Sequence, residues 1–574
     1  MPPEHLLTLP RALAAAAVSA QPSDGFTFID RREREETFHY SEIYARARRS
    51  AGALWESGVR PGDRVAIILP TGQPFIDVLY GCQLLGAVPV PLYPPVRLGR
   101  LDEYYARTAA MLLAVQAVAV VTERRITRLM GQVFARYRPA LGTIEAAGLA
   151  RGPDRDPSDV QPDALAMVQF SSGTTVAPKP VGLTHRQVCA NVLAIADFLP
   201  RGEGIRPTGC TWLPLYHDMG LIGCVYTATI VQGPLALLSP EVFLSKPALW
   251  LRAISRHKST ISPAPNFAYA LCVQRIKDSE MEGCDLSSWR IAMNGAEPVA
   301  PEVLRRFRER FAQWGLRPEA LTPVYGLAEA ALAVTFSDPK IPYPTVRLSR
   351  EALTRGVAER APDGAEHASV GRPLRGFSVE IRSADGEVLP AGRVGHIWIK
   401  GPSLMKGYLD RDEQPFKDGW LHSGDLGFLL EEELFISGRA KDVIILRGQN
   451  HAPHDLEQAV DVVDGIRTGC AVAVGDVSPD GERLLLFVEH RGAPREGMAE
   501  DCRKAVLAAT GLNPDLVLVL APGTLPRTSS GKLRRAEALR QHRDGALAPP
   551  DKVTPWLIAG AMARSMLGYA QSRR

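Results

Sequence analysis

Short apolar runs of strand length alternate with segments of helical period through the first two-thirds of the chain, and this alternation constrains the fold more than any other feature. Tyr40 to Glu56 has the apolar spacing of a helix, and Gly58-Val-Arg-Pro-Gly-Asp63 is rich in turn formers. Arg64-Val-Ala-Ile-Ile-Leu69 reads as a buried strand, and a helix is predicted through Phe75 to Leu85. Val88-Pro-Val-Pro-Leu92 follows as a Pro-interrupted strand or an edge. A strand apolar on both faces needs cover on both, which helices supply over a parallel sheet. The predicted class is α/β, with helix-covered parallel sheets.

At 574 residues the chain exceeds what one core holds, and about three or four compact units are expected. A net charge of +4, with no basic tract, zinc-finger spacing or RNA-binding signature, gives no reason to expect a nucleic-acid partner. The eight cysteines are scattered without a C-x-x-C pair, so neither a zinc ribbon nor a disulfide framework is expected. Reduced thiols suit a cytoplasmic protein. Arg11 to Ala20 is alanine-rich, short and weakly charged at its front, and reads as a surface helix rather than a signal peptide. No apolar run reaches transmembrane length, so a soluble protein is expected.

Residues 1–437 are expected to form a large N-terminal part. Within it, Asp338 to His367 is poor in apolar periodicity and reads as an insertion or excursion. Two strands, Leu434-Phe-Ile-Ser437 and Val443-Ile-Ile-Leu446, are separated by Gly438-Arg-Ala-Lys-Asp442, and a hinge is expected at 438–442. Residues 443–545 alternate helices and strands at a size suited to a small α+β domain. The tail, 546–574, contains Pro549-Pro550 and then helical apolar spacing at Ala559, Met562, Ala563, Met566 and Ala570. Docking on its own protein is expected of it, with a membrane-surface helix as the alternative.

Six segments carry residues suited to chemistry. Ser171-Ser-Gly-Thr-Thr-Val-Ala-Pro-Lys179 follows a strand at Leu165 to Phe170, and is either a plain Ser/Thr turn or a donor-rich loop for phosphate oxygens. It lacks the spacing of a Walker A loop. Thr211 to Leu221 sets His217 and Asp218 between apolar runs, facing either a pocket or the core. Ile291 to Pro298 and Pro323 to Ala330 are both strands running into Gly turns. There main-chain groups are open to a flat base, Tyr325 can stack on it, and Glu329 can hold Mg²⁺. Gly419 to Gly427 sets Asp425 in a tight Gly-bracketed turn, as a turn former or as an acceptor for two ribose hydroxyls. Leu525 to Arg535 places Lys532 on a Ser/Gly-rich loop that on its own reads as solvated.

Taken in order, Gln169 to Lys179, Tyr325 to Glu329, Ser423 to Gly427, Gly438 to Asp442 and Leu525 to Lys532 resemble the core motifs of the adenylate-forming superfamily, which includes acyl-CoA synthetases, nonribosomal adenylation domains and luciferases. More narrowly, Val90 to Pro95, Leu213 to Ile222, Ala264 to Tyr269 and Arg447 to His451 resemble the fatty acyl-AMP ligases. The resemblance implies a large N-terminal domain of several subdomains, helix-covered sheets plus a small β-rich one, and a small mobile C-terminal domain. It also implies roles. Ser171, Ser172, Gly173, Thr174 and Thr175, with Lys179, would bind the phosphates of ATP. Asn294, Gly295, Ala296 and Tyr325 would frame adenine, with Gly326 also at the nucleotide. Glu329 would hold Mg²⁺, and Asp425 would take the ribose with help from Arg439. His217 would lie near the carboxylate at the start of an acyl tunnel, for which Met219, Leu221, Phe267 and Leu332 are candidate linings. Lys441 matches the hinge position, and Lys532 the lysine that steadies the carboxylate and α-phosphate during adenylation.

The implied reaction is ATP-dependent activation of a medium- or long-chain fatty acid to acyl-AMP with release of pyrophosphate. The acyl group would then pass to the phosphopantetheine of an acyl carrier protein or of a carrier domain in a polyketide or nonribosomal synthase. A fatty acyl-CoA ligase is the alternative within enzymes, and residues 343–368 bear on it, because acyl-AMP ligases resemble one another in an insertion at about this place. A non-catalytic acyl- or nucleotide-binding module is the alternative of another class. Four residues depart from the superfamily pattern: Val176 and Pro180 stand where glycines are usual, His396 replaces the Glu of a G-E-I motif, and His422 replaces a common Arg. A missing glycine at 176 restricts positive φ and stiffens the phosphate loop.

Overall fold

The computed structural model describes residues 7–95, 98–171, 178–199, 202, 205–409, 412, 414–446, 449–478, 481–528, 531–551 and 554–572. Arg64–Ile68 lies inside a four-stranded parallel sheet, between Val88–Pro91 and Ala119–Thr122, with Thr143–Glu145 outermost. Its side chains alternate between two cores. Val65 and Ile67 join the one containing helix Gln73–Leu85, and Ala66 and Ile68 join the one containing helix Leu101–Ala114. Both faces are therefore covered, which explains the unbroken apolar run. The Pro-bearing strand takes the edge, where a missing N–H costs no ladder bond.

A second, nine-stranded sheet holds the site. Six successive strands run parallel, from Gly25–Ile29 through Leu235–Leu238, Gly209–Thr211, Ile261–Ala264 and Ile291–Asn294 to Leu321–Gly326. Antiparallel strands close both ends. Thr211, Ala264, Asn294 and Gly326 end on one edge of this sheet, the place where open α/β sheets bind ligands. A five-stranded antiparallel sheet follows, built on Ser378–Arg382, Gly395–Lys400, Trp420–Leu430 and Glu433–Arg439.

Two sequence readings gain detail. The helix read as a surface element at Arg11 to Ala20 spans Leu9–Ser19, and buries Leu9, Ala12, Leu13 and Ala16. Alanine is small enough to pack closely while contributing little periodicity, so burial there leaves a weak signal. The excursion at 338–367 is folded. Thr345–Leu348 pairs antiparallel with Ala365–Ala368, and Val346 and Leu348 pack on Phe428 and Phe435. Only alternate residues of that strand are buried, too few to register as a period.

Past the turn Ala440–Asp442, Ile466–Ser478, Gly481–His490 and Leu516–Leu520 form a three-stranded sheet. Ala471, Ala473, Leu486 and Val488 face helices Pro453–Ala459 and Met498–Thr510. Val472, Val474, Leu485 and Phe487 face helix Arg535–Arg543. This sheet meets the N-terminal body through an Arg534–Glu103 ion pair at 3.1 Å and a bond from Gln274 Nε2 to Thr468 Oγ1 at 2.9 Å.

The chain ends in helix Pro555–Ser572, which docks back on the body at helix Gly131–Phe134. Ser565 Oγ accepts from the Gly131 amide at 2.8 Å, and Tyr569 Oη donates to the Thr127 carbonyl at 2.7 Å. The helices meet through glycines: a Cβ on Gly568 would stand 2.4 Å from the Gly131 carbonyl oxygen, and backbone cannot yield as a flexible side chain can. Gly568→Leu is therefore expected to undock the tail. Amide exchange across 555–572 should accelerate about tenfold or more, while the rest of the protein stays protected.

Candidate active site

The strand ends converge on a cavity of about 240 Å³. After Thr211 the chain turns through Trp212 to Tyr216 and delivers His217 and Asp218, whose Nδ1 and Oδ1 lie 2.7 Å apart. The Met219 amide also donates to Asp218 Oδ1 at 2.8 Å. Burial pushes the Asp218 carboxyl up, but His217 and the Lys532 ammonium outweigh it and leave it below its ordinary value.

Tyr325 closes the next strand and donates through its buried hydroxyl to Asp425 Oδ2 at 2.8 Å. Arg439 Nε donates to the other oxygen at 3.2 Å. Asp425 does not sit in a turn as expected; it lies within the eleven-residue strand Trp420–Leu430. Gly424, at φ +79°, breaks the regular pleat immediately before it, and the register against Glu433–Arg439 shifts beyond it, between Leu426 and Gly427. The glycines that read as a turn mark this irregularity instead.

Glu329 accepts from Tyr408 Oη at 2.8 Å, and Lys179 Nζ lies 4.7 Å from the centre of the Tyr408 ring. Ser171 and Lys179 both line the cavity, and the Ser171 amide donates to the Lys179 carbonyl at 2.9 Å. Ser172, Gly173, Thr174, Thr175 and Val176 lie outside the described residues. Ala296 and Gly326 also line the cavity. Asn294 does not; it is buried below, and its Nδ2 donates to Asn266 Oδ1 at 3.0 Å. Gly295 likewise lies outside the lining.

Lys441 and Lys532 both reach this cavity, so Lys179, Arg439, Lys441 and Lys532 face one space. Burial lowers the Lys532 ammonium, and Arg439 lowers it further against Asp218, Glu297 and Asp425. Lys441 is lowered by burial, Arg439 and Lys179 against Asp442 and Asp425. Cations that repel one another in a half-buried site favour a polyanion among them. Arg535, from the same motif as Lys532, bonds Asp442 at 2.9 Å and Glu457 at 2.7 Å, tying the turn at 440–442 to the C-terminal sheet. His422 lines the cavity and meets His396 with 3.1 Å between ring nitrogens. Burial holds both below the ordinary histidine value, and His396 lowers His422 further against Asp425.

The same cavity is also lined by the apolar side chains of Ile195, Met219, Leu332 and Phe336. Leu221 and Phe267 are not in this lining: Leu221 is core, and Phe267 packs on Trp212 at 5.9 Å. Leu221–Tyr226 forms a π-turn, with Thr227 Oγ1 donating to the Ile222 carbonyl at 2.9 Å, and this turn brings Gly223 to the cavity wall. Gly223, with Ile195, Pro263 and Met293, also lines a second, mostly apolar space of about 40 Å³ leading on past Ala228 and Leu235.

Residues 15–409 match the family of AMP-binding enzymes. The chain belongs to that family. As an AMP-binding enzyme it is similar along nearly its whole length to a long-chain-fatty-acid–AMP ligase of Mycobacterium marinum, 34% identical over 577 residues that cover 93% of this chain and 97% of the relative. It is 33% identical to the 4-hydroxyphenylalkanoate adenylyltransferase of the same organism, over 92% of this chain and 88% of that one. A solved structure from a study of the fatty acyl-adenylate ligases of E. coli and L. pneumophila matches with a TM-score of 0.86 at 34% identity, covering 94% of this chain and 98% of that chain. The L. pneumophila ligase in complex with acyl adenylate and pyrophosphate matches at TM-score 0.71 and 30% identity, over 94% and 97%. This AMP-binding enzyme is an adenylate-forming ligase.

Tyr408, Asp218 and Arg535 are the residues that sequence reasoning left without a role. Tyr408 had only the faint mark of an aromatic in the polar stretch Lys406 to Gln414. Asp218 and Arg535 stood inside quoted motifs, beside residues that drew the attention.

Proposed function

We propose that the chain condenses ATP with a medium- or long-chain fatty acid, releases pyrophosphate, and passes the acyl group from acyl-AMP to the phosphopantetheine of a carrier protein or carrier domain. The observation that carries this reading is one cavity lined both by four cations and by apolar side chains. A carboxylate and an α-phosphate of like charge must meet, and the site needs fixed positive charge where the two approach. Lys532 would bridge them, Lys179 and the loop from Ser171 would hold the outer phosphates, and Asp425 and Tyr325 the nucleoside. His217 would stand where the acyl carboxylate enters. A cytoplasmic setting is part of the reading and accords with eight cysteines that are all free thiols.

Among the described residues no three His, Cys, Asp or Glu side chains cluster as metal ligands. A lone carboxylate held by Tyr408 suits Mg²⁺, which keeps water and phosphate oxygens as most of its ligands, and Glu329 would hold it. Once bound, the ion would neutralise charge on the departing pyrophosphate.

A carrier is favoured over CoA by the folded excursion. Its helix Arg350–Thr354 packs against strand Gln449–His451 beyond the hinge. Incubation with ATP, Mg²⁺ and a fatty-acid panel, with either CoA or a phosphopantetheinylated carrier, tests the whole reading. Acyl-carrier product is expected, and readily accumulating acyl-CoA would overturn the choice of acceptor.

Three variants extend the test. A Cβ on Gly223 would stand 2.9 Å from Leu332 Cδ2, so Gly223→Leu is expected to plug the passage to the second apolar space. Each methylene excluded costs about 0.8 kcal/mol, roughly fourfold in kcat/KM, and the preference should move to shorter acids. An unchanged chain-length profile would place the acyl tail elsewhere. Lys441→Pro is expected to slow carrier loading more than pyrophosphate release, because it stiffens the hinge. Lys441→Ala, which removes only the charge, should affect both steps alike; equal losses from the Pro variant would argue against a hinge at 441.

A further inference from the structure

The helix Pro555–Ser572 presents its faces the wrong way round for a helix that only packs on its own protein. Ala561, Ser565 and Gly568, all small, are buried against the body. On the opposite face Trp556, Ala559, Ala563, Met566, Leu567 and Ala570 recur at steps of three and four, and all six are exposed. Trp556 is 86% exposed, Met566 74% and Leu567 64%. A docked helix ordinarily buries its bulky apolar side chains and turns charge to water.

The surroundings are basic. The segment 552–574 contains Lys552, Arg564, Arg573 and Arg574 and no acidic residue. The body segment that receives the helix carries exposed Arg124, Arg125, Arg128, Arg136 and Arg138. Arg125 pairs with Glu123 at 2.7 Å. This segment holds the helix directly, through Thr127 and Gly131. The apolar stripe and the arginines of 124–138 thus lie on elements in direct contact.

We infer that this surface docks on an anionic lipid bilayer, with the apolar stripe entering the boundary between headgroups and acyl chains and the arginines meeting phosphate headgroups. A second copy of the chain fits less well, since a two-fold interface would bring two sets of arginines together. No helix among the described residues is long and apolar enough to cross a membrane, so the contact is interfacial. The inference is independent of which acid is activated.

Co-sedimentation of the full-length protein with vesicles tests it. Binding to vesicles of equal parts phosphatidylglycerol and phosphatidylcholine is expected, weaker in high salt and much weaker on phosphatidylcholine alone. The triple variant Trp556→Ser, Met566→Ser, Leu567→Ser should lose binding to both. The triple variant Arg124→Gln, Arg128→Gln, Arg136→Gln should lose about fivefold per arginine on the anionic vesicles only. Both variants should release pyrophosphate at the wild-type rate with a soluble medium-chain acid, which checks their folding. Wild-type protein left in the supernatant at low salt would overturn the inference, as would undiminished binding by the apolar variant. So would a dimer, or a complex with an acidic protein, that needs the stripe when vesicles do not bind.

Discussion

Lys532→Ala is expected to slow acyl-adenylate formation by about 10²–10³, while the protein still binds ATP. Removal of one preorganised charge aimed at a developing anion costs about 2.7–4 kcal/mol of barrier. Lys532 is placed for that role: it lines the cavity with His217 and Glu329, and it feels Asp218, Glu297 and Asp425 around it. Its main-chain amide is held by Thr528 Oγ1 at 3.0 Å, and Arg534, two residues on, anchors the loop to Glu103 at 3.1 Å. The remaining cations, Lys179, Arg439 and Lys441, do not depend on it, so nucleotide affinity should fall little. Two measurements decide. Pyrophosphate release should collapse, yet transfer from preformed acyl-AMP to a loaded carrier should proceed, because in the proposed cycle the small domain would withdraw this lysine before transfer. Pyrophosphate release near the wild-type rate would sink the assignment.

What could be read in advance depended on whether the signal was local. Strands such as Arg64–Ile68 and Ile291–Asn294 declare themselves by composition, whereas of the segment Gly438 to Asp442 only Ala440–Asp442 is a turn, Gly438 and Arg439 ending the preceding strand. Local reading failed where a residue's meaning comes from a distant partner. Tyr408 matters through Glu329, 79 residues away, and the tail glycine Gly568 through Gly131. The glycines around Asp425 misled for a related reason. Alone they encode a turn, but pairing with Gly395–Lys400 and Glu433–Arg439 draws the segment into a sheet and leaves only a pleat defect. Asn294 shows another limit of local reading: a polar residue at a strand end looks like a ligand, yet its side-chain NH₂ donates to Asn266.

Asp425→Asn should raise KM for ATP by about tenfold to a hundredfold, the equivalent of roughly 1.5–3 kcal/mol for one charge-assisted hydrogen bond. The carboxylate has about four lone-pair sites, and Tyr325 and Arg439 take one on each oxygen. Two sites remain for a pair of ribose hydroxyls. Asn keeps the shape and the Ser423 contact to the backbone amide, but one oxygen becomes an NH₂ that repels the donors facing it. Asp425→Ala should do worse, since it strands the buried Tyr325 hydroxyl and lowers stability by about 1–3 kcal/mol. Comparing ATP with 3′-deoxy-ATP separates the two effects. The wild-type enzyme should favour ATP strongly, and the Asn variant should scarcely distinguish the two, because the acceptor that read the hydroxyl is gone. A variant that discriminates as well as the parent would mean that Asp425 only organises Tyr325 and Arg439, and that the ribose is held by another group.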